Sequence, residues 1–359
     1  MRTFTFKGLF LTAVFMLLGC LSIQAADDDL ITRQITIKLD KAGTLPDKIG
    51  SSKKNLITKL KIVGEVNGTD WCFIREMAGS GYDGKSTEGK LSVLDLSEAK
   101  IVEGGYYYNK YYYYENDVYY YKNCYTSNDV IGKCAFKGCS GLTSLTLPAG
   151  ITSIGDDAFY GCSGLTSITI PNGVTQIDKN AFRDCTGLTS LTLPANIKRI
   201  GESAFYGCSG LTSLTIPDGV TKIGKYAFSN CSYLTSLTIP SSVNSLGDYA
   251  FKNCSSLQSV HVSWSTPISA GKAFNKADVS KCTLYVPQGT EQDYFLADVW
   301  GDFGNIVEYD STGIDKVTTS TDAKELSRYS VNGQRLATPT KGLNIVKYSD
   351  GSVKKVVVQ

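Results

Sequence analysis

Histidine is nearly missing from this sequence: 359 residues contain one, His261. That excludes a zinc site built on several histidines. Any Ser-His-Asp or Cys-His nucleophilic chemistry would have to run through this single residue. His261 sits in the stretch SVHV, at an outward strand position, and nothing in the sequence places a nucleophile or an acid beside it. It reads as a surface histidine. Excess charge of either sign is also missing. The chain carries 36 Lys and Arg against 34 Asp and Glu, a formal net charge of +2. A nucleic-acid binder shows a basic stripe, and none is present. No pair of carboxylates stands out at a fixed catalytic spacing, and no cofactor is implied. The expectation is a non-catalytic protein.

Long apolar runs are confined to the N-terminus. Arg2 and Lys7 precede GLFLTAVFMLLG, and SIQAADDD follows a few residues later. A charged start, a short apolar stretch and small residues at Ala25 and Ala26 have the order of an export signal over residues 1–25. The stretch is too short, and wrongly flanked, for a membrane span. LLGC, Leu17 to Cys20, resembles a bacterial lipobox, in which Cys20 would be lipidated after cleavage. Both processing routes stay open, and both place the chain outside the cytoplasm.

What the sequence has in abundance is repetition. AFKGCSGLTSLTLPAGITSIGDD returns as AFYGCSGLTSITIPNGVTQIDKN, AFRDCTGLTSLTLPANIKRIGES, AFYGCSGLTSLTIPDGVTKIGKY and AFSNCSYLTSLTIPSSVNSLGDY. Phe136, Phe159, Phe182, Phe205, Phe228, Phe251 and Phe274 mark a strict period, the signature of a solenoid. Within one copy, Leu145 and Leu147 alternate with Ser144 and Thr146 as a short strand. Pro148 ends it, because it has no N–H for a ladder. One copy cannot bury its own apolar edge, so copies must stack. Cys139, Cys162, Cys185, Cys208, Cys231 and Cys254 share one repeat position. In-register side chains run parallel, so a column of buried free thiols is expected, not disulfides.

The register C-x-x-L-x-x-[IL]-x-[IL]-P, V-x-x-I-G, A-F resembles leucine-rich repeats of the BspA-like (Treponema pallidum-type) subclass. The resemblance implies a leucine-rich-repeat solenoid: a horseshoe with a parallel β-sheet on its concave face and short helical or 3₁₀ turns. It also implies a bacterial surface protein of adhesin type. Residues 129–309 form the array with its C-terminal cap. Residues 27–102 resemble the N-terminal capping units. Residues 310–323 are a polar linker. Residues 324–359 read as a small antiparallel β module with turns at Asn332–Gly333 and Ser349–Gly351.

Two surfaces are candidates for binding. The outward strand positions Ser144, Thr146, Ser167, Thr169, Ser190, Thr192, Ser213, Thr215, Ser236 and Thr238, ending in His261, carry no charge. Serine and threonine also suit a soluble strand face without any ligand. The second is GGYYYNKYYYYENDVYYYKNCY, residues 104–125, which holds 11 of the 22 tyrosines inside an insertion spanning 103–128. The insertion has no counterpart in the other copies. It is expected as a surface loop or hairpin turning at Glu115–Asp117, beside the N-terminal end of the concave sheet and outside the stacked core. Tyr111, Tyr112, Tyr113, Tyr114, Tyr119, Tyr120 and Tyr121 are its candidate contact residues, since tyrosine offers a rigid, amphipathic face at low entropic cost. The expected partner is an extracellular protein or a surface glycan, with no nucleic acid, and with the membrane reached only through a lipid anchor at Cys20.

Overall fold

A computed structural model describes residues 29–115, 118–309, 325–330, 335–336, 338–339, 341–348 and 353–358. The signal region, the linker and both turns expected in the C-terminal module lie outside these residues.

The chain winds as a parallel β-solenoid. Strands β1 (Ile35–Leu39), β2 (Lys59–Val66) and β3 (Val93–Ile101) pair in parallel and continue into the repeat strands Ser144–Thr146, Ser167–Thr169 and Ser190–Thr192. A second parallel sheet is built of two-residue strands, one per coil, from Val130–Ile131 to Ser245–Leu246. The first ladder is interrupted after Thr192. It resumes at Ser213–Thr215 as a five-stranded sheet that ends at Asn305–Tyr309. At the interruption Leu191 is half-buried, whereas Leu145, Ile168, Leu214 and Leu237 are buried.

Between the sheets runs a spine of phenylalanines. Successive rings from Phe136 to Phe274 stack with centroids 4.7–5.7 Å apart. The period puts each ring over the last at about the strand spacing, so one residue type fills one column. Tryptophan closes both ends: Trp71 lies 5.2 Å from Phe136, and Trp300 lies 5.7 Å from Phe274. Trp71 belongs to the helix Gly68–Met77 (here α1), which Asn67 and Asp70 start with a reciprocal capping box.

The cysteine column is buried beside the spine, and its thiols are free. Each Sγ from Cys162 onward donates to the carbonyl of the previous coil's phenylalanine, at 3.1 Å for Cys162 to Phe136 and 3.2 Å for Cys185 to Phe159. Burial pushes the Cys185 and Cys254 thiols up to about 12 from an ordinary 9.0. Two consequences are expected. Iodoacetamide at pH 8 leaves the six repeat thiols unmodified until denaturant is added, as peptide mass spectrometry will show. A raised thiol pKa gives stability that is complete below the unfolded value of about 9 and is lost as pH rises towards the folded value. Denaturant midpoints should therefore hold up to pH 8.5 and fall above pH 9, by up to about 1.4 kcal/mol per thiol per pH unit.

The C-terminal residues form a separate four-stranded antiparallel sheet, in which Glu325–Ser330 lies between Arg335–Leu336 and Gly342–Tyr348, and Val353–Val358 forms the edge.

Candidate functional site

The tyrosine-rich insertion is a hairpin of β4 (Gly104–Glu115) and β5 (Val118–Thr126), paired Tyr112 to Tyr121, Tyr113 to Tyr120 and Tyr114 to Tyr119. Its base is not outside the core. Tyr108, Asn109 and Cys124 are buried. The reason lies in the backbone of the first coil. In the regular array the N–H groups of Cys134, Phe136 and Gly138 donate to the carbonyls of Asp156, Ala158 and Tyr160 in the next coil. One period earlier, the carbonyls of Lys133, Ala135 and Lys137 have no preceding coil to bond them. A buried carbonyl left this way is unfavourable.

Side chains take the place of the missing coil. Tyr108 Oη donates to Lys133 O at 2.9 Å, and Trp71 Nε1 donates to Ala135 O at 3.0 Å. Arg75 donates to Ala135 O and Lys137 O, each at 3.0 Å, and to Cys134 O at 2.9 Å. Asn109 Nδ2 adds a bond to Cys134 O at 3.1 Å. On α1 and its C-cap, Trp71, Ile74, Arg75 and Ala78 fall at i, i+3, i+4 and i+7, so one helix face delivers both donors. Gly132 admits the Tyr108 hydroxyl, since a Cβ there would collide with it. The hairpin base is thus a cap, fixed by the repeat it terminates.

Beyond the base, the rings come out. Tyr106, Tyr112, Tyr120, Tyr121 and Tyr125 are 41–74% exposed. Where the hairpin crosses α1, Pro46, Phe73, Glu76, Tyr82, Tyr106 and Tyr107 line an open groove of about 360 Å³. Lys110 Nζ stands 5.2–5.4 Å from the ring centroids of Tyr82, Tyr107 and Tyr121. Tyr82 and Tyr107 meet edge to face at 5.8 Å. On another side Lys133 Nζ sits 3.8 Å above Tyr111. Asn116 and Asp117, the expected turn, lie outside the described residues, as do the side chains of Tyr113, Tyr114 and Tyr119.

The Ser/Thr strip is in register as expected on each side of the ladder interruption: Ser144, Ser167 and Ser190, with Thr146, Thr169 and Thr192, then Ser213, Ser236 and Ser259, with Thr215 and Thr238. His261 continues the Thr column and stacks on Tyr285 with centroids 4.1 Å apart. The adjacent column is structural. Thr143, Thr166, Thr189 and Thr235 donate to backbone carbonyls of the preceding coil at 3.0–3.3 Å.

The described hairpin tyrosines do not extend this strip. Tyr111 and Tyr112 instead share a groove of about 420 Å³ with Lys133, Lys137, Asp156, Asp157, Lys179 and Asn180, which belong to the I-G-x-x-A-F turns. The hairpin sits by the turn face, not by the edge of the Ser/Thr strands. Sequence reasoning also passed over Tyr82, Tyr106, Tyr107 and Tyr125 at the hairpin. On the turn face it passed over Tyr160, Arg183, Tyr206, Tyr226 and Tyr249. The missed signal was column variability on both sides of the constant A-F: the position after it reads Lys137, Tyr160, Arg183, Tyr206, Ser229 and Lys252, and the position before it reads Asp157, Asn180, Ser203, Tyr226 and Tyr249. Among the described residues, no three His, Cys, Asp or Glu converge as metal ligands, and no helix is long and apolar enough to cross a membrane.

Coil geometry, spine and capped ends define a leucine-rich-repeat solenoid. The chain belongs to the BspA type leucine rich repeat region family, which matches residues 109–233 and 175–292 in 6 copies. Among solved structures, a leucine-rich repeat protein from Bacteroides ovatus is 30% identical over 49% of this chain and 45% of its own, with a TM-score of 0.39. The chain therefore spans less than half of that protein. The Treponema pallidum leucine rich repeat protein is 30% identical over 47% of this chain and 72% of its own, at a TM-score of 0.36. The pneumococcal vaccine antigen PcpA is 19% identical over 73% of this chain and 61% of its own, at 0.44. No curated protein matches the chain significantly.

Proposed function

We propose that this is an exported, surface-displayed binding protein that catalyses nothing, and that it captures an extracellular protein through the aromatic junction of α1 and the hairpin. The observation that carries the reading is the contrast within one hairpin. Its base is bonded into the cap, while five of its rings stand exposed, with Tyr106 lining the groove against α1. A rigid base presents those rings without an ordering penalty on binding. Exposed tyrosine clustered at one site is the composition of interface hot spots. The export signal and the lipobox-like Cys20 supply the route to the surface.

The test must spare the cap: a linker in place of residues 106–121 would remove Tyr108 and Asn109 as well. The triple variant Tyr106→Ser/Tyr121→Ser/Tyr125→Ser leaves both in place. Binding of the mature chain to an array of host extracellular proteins, followed by biolayer interferometry on each hit, is expected to weaken at least tenfold in the variant. Unchanged affinity at an unchanged melting temperature would refute the site.

A further inference from the structure

The turn face holds a feature that the fold does not require. The residue before A-F adopts a left-handed backbone in six successive coils: φ is 58° at Cys134, 54° at Asp157, 54° at Asn180, 52° at Ser203, 56° at Tyr226 and 63° at Tyr249. Asp and Asn tolerate this conformation, whereas a bulky aromatic residue is out of place there. Yet Tyr226 and Tyr249 occupy it, half-buried and outside the phenylalanine spine, with rings stacked 5.0 Å apart. They are not part of the core cluster, and they hold aromatic surface on the turn face at a backbone cost. Strain kept this way points to use.

Their surroundings share one chemistry. Arg183 lies over the rings of Tyr206 and Tyr160, at 4.5 and 5.6 Å. Tyr206, Tyr226, Asn230, Asn253 and Arg183 line a groove of about 380 Å³. The neighbouring groove at Tyr112 and Asn180 lies on the same run of turns. One covered polar atom, Asn180 Oδ1, has no hydrogen-bond partner among the described residues; Arg183 Nε has none either but lies 3.5 Å from Asp184 Oδ2. Several of the charges are paired: Lys137 with Asp157 at 3.1 Å, Lys179 with Glu202 at 3.1 Å, and Lys133 with Asp156 at 3.6 Å; Lys225 and Lys252 lie over the rings of Tyr226 and Tyr249, each 5.2 Å from the centroid. Asp156, Asp157, Asp184 and Glu202 are interspersed with the cations, so a polyanion would meet no continuous basic stripe.

We propose that this face is a binding strip for a neutral polysaccharide laid across successive coils. Tyrosine rings present flat apolar surface to the C–H faces of pyranose rings. Asn180, Arg183, Asn230 and Asn253 supply planar donors and acceptors for the hydroxyls. The coils repeat at ~5 Å, close to the advance of an extended pyranose chain, so one strip meets several sugar units in register. Avidity from repeated weak contacts then sets affinity. The strip is distinct from the hairpin groove and serves a second class of ligand.

Affinity electrophoresis of the mature chain through gels containing soluble mannan, mixed-linkage β-glucan, xylan or dextran tests it, with heparin as the acidic arm. At least one neutral polymer is expected to retard the chain. By calorimetry with that polymer, Tyr226→Asn/Tyr249→Asn should raise Kd at least tenfold while its melting temperature stays level or rises, since asparagine suits the left-handed backbone. The triple hairpin variant should bind the polymer normally. No retardation in any neutral gel overturns the proposal, as does retention by heparin alone. Unchanged binding in the Asn variant, or loss in the hairpin variant only, overturns it too.

Discussion

Replacing Arg75 by methionine is expected to destabilise the chain by about 3–5 kcal/mol, among the largest single-residue effects available outside the spine. Arg75 is fully buried, and its five partners are neutral: the carbonyls of Cys134, Ala135, Lys137 and Gly81, and the Ser80 hydroxyl. Methionine fills similar volume and donates nothing. Each carbonyl then keeps one other donor: Gly81 O keeps the Gly84 N–H, Ala135 O keeps Trp71, Lys137 O keeps Ser80, and Cys134 O keeps Asn109. Charge-assisted bonds are worth roughly 1.5–3 kcal/mol each, and these redundant partners hold the total near the stated range. Lysine should recover little, because a point charge on a flexible stem cannot reproduce a planar fork. Guanidinium titration measures the loss. Hydrogen exchange locates it: amides of β4 and β5 near Asn109 and Cys124 should lose protection before those of the later coils. A variant as stable as the parent would show that Trp71 and Tyr108 close the array unaided.

How far the sequence discloses this molecule depends on whether a residue repeats. The phenylalanine spine, the thiol column and the Ser/Thr strip were legible because each position recurs at the same interval, and stacking turns recurrence into contact. The cap was not. Trp71 and Arg75 occur once, in a helix that reads as an ordinary amphipathic segment. Their task is set by three carbonyls some sixty residues away. Tyr108 was hidden differently, as one tyrosine among eleven, and only the missing coil distinguishes it from Tyr106. The hairpin itself was legible, from the excess length between Val102 and Val130. Its placement against the turn face was not, because pairing within the hairpin says nothing about what it leans on. The turn-face tyrosines were visible as a variable column, but the left-handed backbone that makes them unusual is a property of coordinates. The short second sheet escaped as well: two residues per coil fall below any periodicity signal.

Phe205→Ala should cost about 3–5 kcal/mol and should also change the form of unfolding. The ring is fully buried and stacks on Phe182 at 5.1 Å and Phe228 at 5.2 Å. Solenoid stability is a sum of coil and nearest-neighbour terms, so cooperativity fails first at the weakest interface. That interface is the one Phe205 spans. The strand ladder is interrupted between Thr192 and Ser213, and Leu191 is only half-buried there. What joins the coils around this step is the short second-sheet pairing of Arg199–Ile200 with Gln176–Ile177 and with Lys222–Ile223, the Cys208 bond to Phe182 O at 3.2 Å, backbone bonds such as Phe182 N–H to Ala204 O and Asp184 N–H to Tyr206 O, each at 2.7 Å, and Gly210 N–H to Thr186 O at 3.2 Å, and the ring stack. Removing the ring takes the largest apolar contact from that set. Phe159→Ala makes the same chemical change inside an uninterrupted ladder, where Ser167–Thr169 pairs on both sides. Both variants should lose comparable stability. Only Phe205→Ala should unfold in two steps, with peptides before residue 192 and after residue 213 exchanging hydrogen at different denaturant concentrations. A single transition shared by both halves in Phe205→Ala would mean that the second sheet alone carries cooperativity across the interruption.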